Sequence, residues 1–344
     1  MLVVLATFAV ALIASLGLTV PVRQLALRVG MVDYPGPRKV HLTPIPLLGG
    51  LAIYSGVLLA LLVSTAAAVR SQMLGIVAGA TLVVIVGILD DRKLLHHQIK
   101  LFVGMPAAAL ILMATGIHAQ VLENFWPGRA AQWGDYVLTL FWVVGITAAF
   151  SILDHMDGLC AGVAAVAAIF FTSFALWSGQ VLVSTLAAAV LGAAVGFLRW
   201  NFNPARIFMG DGGAMLLGFL MATLALKLRP ATSLGTASWM IPVLILGVPI
   251  FDTTLISISR SRRGLIPFTS PGKDHSAHRL ANLGFGARGA VLALYGLGAF
   301  FGLLALLASQ LTAQHGYALA AGIGAAIFLA IAWLERAPYD RQDA

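Results

Sequence analysis

An all-α, polytopic membrane protein is the fold class this chain predicts, and three observations carry it. Hydrophobic residues fill 60% of its 344 positions and charged residues only 10%, against about 25% charged in ordinary soluble domains. Mean hydropathy is +0.95. The apolar residues fall into segments close to the roughly 20 residues that cross a bilayer. This balance excludes a soluble globular enzyme, a coiled coil and a disordered chain. About eleven spans of that length leave too little chain for a separate soluble domain, so one transmembrane domain over residues 1–344 is expected. The single cysteine, Cys160, excludes a disulfide framework and any multi-cysteine metal site.

The first apolar segment, near 1–20, carries no charge before Arg23. A signal peptide begins with a basic stretch, so this segment reads as a retained helix. Others follow near 47–66, 74–89, 98–116 and 137–153. The third is short for a span and ends on Asp90-Asp91, which sets those carboxylates at the membrane surface. From Gly158 to Leu198 no residue is charged, over twice the length of one span. Ser178-Gly179-Gln180 is the expected break, giving a tight hairpin of helices near 158–177 and 182–198. The last four segments lie near 212–226, 238–258, 289–309 and 315–334. No internal repeat stands out, which disfavours an inverted-repeat transporter.

The loop charges give the orientation. Of the 21 Lys and Arg residues, only Arg70, Arg129, Lys227 and Arg229 fall in one set of alternate loops. The other seventeen share the opposite set, which the positive-inside rule places in the cytoplasm. The N-terminus is then outside and the C-terminus inside, consistent with an odd number of spans such as eleven. The formal charge of +8 is explained by this bias, and no nucleic-acid partner is expected.

The carboxylates are equally lopsided. Asp33, Asp90, Asp91, Asp154, Asp157, Asp211, Asp252 and Asp274 all fall on the basic side or at helix ends facing it. Ionisable groups at a membrane boundary are costly and usually functional or paired. Asp90 and Asp91 could hold a divalent cation or handle a proton, or simply stop a helix. Asp154 and Asp157 are three apart and would share a face on a helical turn. Asp211, between Gly210 and Gly212-Gly213, opens a helix, where backbone amides favour anions; an N-cap aspartate is the bland alternative. Asp252 follows Pro249 near a helix end and could pair with a loop cation. Lys273-Asp274-His275-Ser276-Ala277-His278-Arg279 lies in the longest basic loop, and its mixture suits a diphosphate, with Arg279 offering a guanidinium fork. His275-x-x-His278 could bind zinc, but no third ligand is near in sequence.

Taken together and in order, these segments resemble the polyprenyl-phosphate N-acetylhexosamine-1-phosphate transferases of glycosyltransferase family 4. Lys39-Val40-His41 with Pro44, Pro46, Gly49 and Gly50 is similar to the family's first cytoplasmic-loop motif. Asp90-Asp91 with Leu94 and Lys100 resembles its paired-aspartate motif, and Phe150 to Gly162, with Asp154 and Asp157, its Asn-rich aspartate motif. Asn201 to Ala205 and on to Gly210-Asp211 resembles the metal-binding segment. Val248 to Thr254 and the His275/His278 loop complete the set. Where the family usually has two asparagines this chain has Ala148 and Ser151, Gly212 and Ala214 replace common serines, and Ala277 separates the histidines. The triple-histidine run of the muramoyl-pentapeptide branch is absent, which points to the branch using simple UDP-N-acetylhexosamines.

The resemblance implies transfer of an N-acetylhexosamine-1-phosphate, GlcNAc-1-phosphate being the leading candidate, from a UDP-sugar to polyprenyl phosphate, with release of UMP, to start cell-envelope glycan synthesis. It implies Mg²⁺, with Mn²⁺ an alternative ion, held by Asp211 with Ser151 or Asp154 helping. It implies acceptor orientation or proton transfer by Asp90 and Asp91. It implies substrate contacts from Lys39, His41, Asp157, Asn203, Asp252, His275, His278 and Arg279. The expected setting is the inner (cytoplasmic) membrane with the active site facing the cytoplasm; a homodimer is left open. The Ala148 and Ser151 departures also leave open a second reading, a non-enzymatic member that binds a lipid or nucleotide or acts as a scaffold.

Overall fold

The structure is a computed structural model that describes residues 1–35, 43–64, 70–95, 97–266 and 272–337. It is helical apart from one antiparallel pair of two-residue strands, β1 (Val32–Asp33) and β2 (Ile45–Pro46). Seven helices are long and apolar enough to cross a membrane, or eight with one bent pair, among the described residues. The chain is thus a multi-pass membrane protein. It forms two compact units, Met1–Ala231 and Thr232–Ala344.

The first unit contains α1 (Leu2–Arg28), α2 (Gly49–Ser64), α3 (Arg70–Asp91), α4 (His97–Ile99), α5 (Met105–Ala114), α6 (Arg129–Leu153), α7 (Leu159–Trp177), α8 (Val181–Asn201) and α9 (Gly210–Lys227). The organising element is α9. Every residue from Gly212 to Leu226 is buried, as expected of a helix that is apolar all round. It is flanked by α2, α3, α6, α7 and α8. Glycines set how close its N-terminal end comes to two of them. A Cβ at Gly87 would overlap the backbone of Gly212, and one at Gly50 that of Gly213. Small residues of this kind let membrane helices approach backbone to backbone. At the periphery, α1 packs on α2 and α8.

The expected hairpin break is where the sequence puts it. Gly179 adopts φ +65°, left-handed backbone that glycine enters without a Cβ penalty, and Gln180 N donates to Ala175 O at 2.8 Å, closing the end of α7. Other boundaries differ. α1 runs through Pro21 to Arg28 rather than stopping near 20. α6 starts at Arg129, eight residues before the expected 137, and takes Asp135 inside it. That aspartate is fully buried because its carboxylate accepts from the backbone amides of Val121, Leu122 and Glu123 at 2.9–3.2 Å. The 98–116 segment is interrupted: Lys100–Gly104 is a π turn between α4 and α5, a local widening found often at functional sites.

The second unit contains α10 (Met240–Ile245), α11 (Gly247–Arg262), α12 (Ser276–Leu280), α13 (Gly286–Ser309) and α14 (Ala313–Leu334). The expected 238–258 span is broken near Leu246, with a bend of 75° between its halves. Pro249 lies in the first turn of α11, where its missing N–H costs no helix bond. Phe251 and Leu255 of α11 pack with Ile331 and Leu334 of α14.

Candidate active site

In the first unit, the ends of α3 and α6 meet the start of α9. The short strands help place that start: Phe208 N donates to Pro46 O, Gly49 N to Phe208 O and Gly50 N to Met209 O, all at 2.9 Å. Met209 gives α9 no side-chain cap. The cap comes from another helix instead, because Asp211 N donates to Asp91 Oδ1 at 3.0 Å. Gly210 has φ +69°, and a Cβ there would strike Asp91 Oδ2. Glycine is therefore required twice over at this position, by conformation and by space.

Around that joint lie four carboxylates and one ammonium. Lys100, on the π turn, places Nζ 2.7 Å from Asp90 Oδ2 and 2.8 Å from Asp211 Oδ2. The Ser151 hydroxyl donates to the other oxygen, Asp211 Oδ1, at 2.7 Å. Asp91 Oδ2 is buried with no hydrogen-bond partner among the described residues. Asp154, just beyond α6, has its pKa raised well above the ordinary carboxylate value by burial and by the charges of Asp211, Asp91 and Asp157. Four carboxylates gather around one lysine in a half-buried place, and their crowding disfavours ionising all of them at once unless further positive charge joins them. Such a donor set fits a hard divalent cation, which takes oxygen ligands. The orphaned Asp91 oxygen fits it as well.

Asp157 goes elsewhere. Residues 154–157 form a turn between α6 and α7 rather than helix, so Asp154 and Asp157 do not share a helical face. Asp157 Oδ2 accepts from Asn203 Nδ2 at 3.0 Å and Ala205 N at 2.9 Å. Asn201 joins the same connection, accepting from Gly158 N at 3.1 Å and donating to Ile207 O at 3.0 Å. Asp157 and Asn203 thus shape the segment that leads into Asp211.

The second unit holds the histidine loop through a buried polar cluster. Asp252 is fully buried; its carboxylate meets His275 Nδ1 at 2.8 Å, Ser276 N at 2.8 Å and Ser276 Oγ at 2.6 Å. The predicted pairing of Asp252 with a loop group is therefore present, and the loop group is His275. His278 lies one helical turn on, its ring 6.3 Å from that of His275. Arg279 differs from expectation. Its side chain has no exposed surface. Nε donates to Asp274 O at 2.7 Å, Nη1 to Leu334 O at 2.8 Å and Nη2 to Ser259 Oγ at 2.8 Å. Glu335 Oε1 forms an ion pair with Nη1 at 2.7 Å. The fork expected to meet a diphosphate from solvent is engaged in this structure with α11, the loop and the end of α14.

Asp274 anchors the loop from its other side. It pairs with Arg260, whose Nη2 is 2.7 Å from Oδ1, and with Arg263. Burial alone would raise its pKa, but the hydrogen bonds and charges of the two arginines outweigh this and hold it at about 2. A carboxyl depressed below its unfolded value adds stability above that value and loses it as pH falls through the folded one. Acidification from about pH 4 to about pH 2 is expected to remove about 2 kcal/mol through this group. The check is thermal unfolding against pH, where Asp274→Asn should be less stable than wild type at neutral pH and converge with it near pH 2.

The structure thus joins Asp90, Asp91, Asp211, Ser151 and Asp154 in one cluster, links Asp157 to Asn203 beside it, and joins Asp252 to His275 in the other unit. Lys39 and His41 lie outside the described residues. Lys100 is the site residue that sequence reasoning left without a role. Its signal is that it is the one charged residue of the apolar 98–116 segment, ten residues after Asp90.

A multi-pass helical protein with a lysine-bridged acidic cluster at one end of its bundle is the class that fold and site define. Residues 73–229 match the model of glycosyl transferase family 4. The chain is 36% identical over 318 residues to a probable undecaprenyl-phosphate N-acetylglucosaminyl 1-phosphate transferase of Bacillus subtilis (strain 168), covering 91% of this chain and 87% of the relative. It is 33% identical to a decaprenyl-phosphate N-acetylglucosaminephosphotransferase of Mycolicibacterium smegmatis, over 80% of this chain and 74% of the relative. It is 29% identical to the undecaprenyl-phosphate alpha-N-acetylglucosaminyl 1-phosphate transferase of Escherichia coli (strain K12), over 77% and 73%. The chain belongs to glycosyl transferase family 4.

Proposed function

We propose that the protein transfers N-acetylglucosamine-1-phosphate from UDP-N-acetylglucosamine to a polyprenyl phosphate, releasing UMP. The observation that carries this reading is the Asp90–Lys100–Asp211–Ser151 cluster at the helix ends, in a chain similar along most of its length to transferases so named. An acceptor phosphate oxygen forms a bond to the sugar-side phosphorus of the donor, and the bond from that phosphorus to the bridging oxygen of UMP breaks. No electrons change hands overall.

Phosphoryl transfer depends mainly on positioning and charge neutralisation. Mg²⁺, or Mn²⁺ in its place, would be held by Asp211 with Asp154, and would neutralise charge on the donor diphosphate. Ser151 orients Asp211 through its hydroxyl, so the position occupied by asparagine in much of the family still serves the site. Asp91 holds the start of α9. Asp90 and Asp91 orient the acceptor; a lipid phosphate with second pKa near 6 is already mostly dianionic at pH 7, so base catalysis has little to add. Lys39, His41, His275 and His278 contact donor phosphates, with Asp252 fixing the His275 ring.

The topology supports a cytoplasmic site. The structure has seven candidate spans, or eight with the bent α10–α11 pair; if the shorter apolar helices Gly49–Val63 and Lys100–Ala114 and the buried α9 also cross, the total would be eleven. Threaded from an outside N-terminus, such an arrangement would put Asp91, Asp154, Asn201 and Asp211 on the inner side of the cytoplasmic membrane. Single cysteines introduced at Ser178 and Arg206 of a Cys160→Ala protein test this. The first should be labelled by impermeant reagent from outside and the second only after permeabilisation; the reverse pattern rejects the orientation.

The reaction is tested by incubating purified protein with Mg²⁺, undecaprenyl phosphate and a panel of UDP-sugars. UMP and a lipid-linked sugar diphosphate should appear with UDP-N-acetylglucosamine and disappear with chelator. No UMP with any UDP-sugar would reject the transferase reading, and full activity in excess chelator the metal.

A further inference from the structure

We propose that Lys100 is a built-in counter-ion that competes with the divalent cation for Asp211, so that loading the ion and releasing the lysine are one coupled event. The inference rests on the reading of Asp211 as a cation ligand. Lys100 Nζ spans Asp90 Oδ2 and Asp211 Oδ2 at 2.7 and 2.8 Å. Ser151 already donates to Asp211 Oδ1, so each oxygen of this carboxylate has a protein donor. An ammonium carries three donors and no acceptor, and cannot share an oxygen with a second cation without direct repulsion. Magnesium ligation requires close approach, about 2.1 Å, on the oxygens that Lys100 and Ser151 hold. A hydroxyl can rotate away or turn its own lone pair towards an ion; an ammonium has no lone pair to offer and repels an incoming cation.

The position of Lys100 makes leaving feasible. It stands on the Lys100–Gly104 π turn, where the regular helix ladder is already interrupted, and its side chain is 21% exposed. Asp90 gives the ammonium a second partner, so release from Asp211 need not strand it. The coupling has an unusual sign. Removing a lysine from an active site would ordinarily be expected to weaken ligand binding, whereas here it should tighten the ion.

The test is titration of the purified full-length protein in detergent with Mn²⁺, followed by electron paramagnetic resonance. In Lys100→Met the Mn²⁺ dissociation constant should fall at least about tenfold, the scale of one charge-assisted hydrogen bond. Lys100→Gln, which keeps a donor but loses the charge, should shift the same way and serves if methionine disturbs the turn. Lys100→Arg, which keeps the charge, should stay near wild type. In parallel, acylation of Lys100 read by mass spectrometry should rise when Mn²⁺ is added to wild type. Unchanged or weaker Mn²⁺ binding in both neutral variants, or acylation indifferent to Mn²⁺, would overturn the inference. Loss of all Asp211-dependent Mn²⁺ binding, in wild type and variants alike, would instead reject the cation reading beneath it.

Discussion

Asp211→Ala is expected to lower turnover at least about a hundredfold, the scale for losing one preorganised electrostatic group in an active site, while the bundle still assembles. Asp211 is the point at which the site converges: its amide is capped by Asp91, one oxygen is held by Lys100 and the other by Ser151. Removing the carboxylate removes the central proposed cation ligand and leaves Lys100 paired only with Asp90. It leaves α9 packed, because fifteen consecutive buried residues after Asp211 hold that helix. The comparison is UMP release by variant and wild type in Mg²⁺, together with thermal unfolding of both. Turnover within tenfold of wild type would remove Asp211 from the mechanism.

Arg279→Ala should act on stability first. The guanidinium has no exposed surface and meets Asp274 O, Leu334 O, Ser259 Oγ and Glu335. Truncating it takes a buried donor from the carbonyls of Asp274 and Leu334 and leaves Glu335, among the described residues, only the exposed Arg262, at 3.6 Å. Each buried acceptor left unsatisfied costs about 1–3 kcal/mol, enough to be visible as a marked fall in unfolding temperature. Arg279→Lys should recover little, because one ammonium cannot span acceptors that a planar fork reaches in three directions. Thermal unfolding of the purified variants decides it. Normal unfolding combined with weakened UDP-sugar binding would restore Arg279 as a direct contact to the donor.

These two residues show how differently the site could be read in advance. Asp211 was legible because its glycine neighbours and helix start are local features, written into adjacent positions. The paired aspartates Asp90 and Asp91 were legible for the same reason, as the charged end of an apolar run. The burial of Arg279 is not legible, because a guanidinium in a polar loop looks the same in sequence whether it faces solvent or a carbonyl 55 positions away. Lys100 was seen but given no role, since nothing local says that it meets Asp211 across 111 residues.

The amino-acid order by itself determined the membrane class, the α7–α8 hairpin and the presence of acidic residues at one set of helix ends. Those properties are sums or local patterns: hydropathy over a window the width of a bilayer, a glycine where φ must be positive, charge on alternate loops. Only the tertiary structure decided which carboxylates share a cluster and which cation joins them. It did so through backbone-to-backbone approach at Gly87, Gly212, Gly50 and Gly213, which brings the ends of α2 and α3 against the start of α9. Asp157 is directed to Asn203 and Asp154 towards Asp211 by the turn at residues 154–157. Hydrogen bonds and ion pairs act over a few ångströms of space, and a chain's order fixes that distance only after its helices have packed.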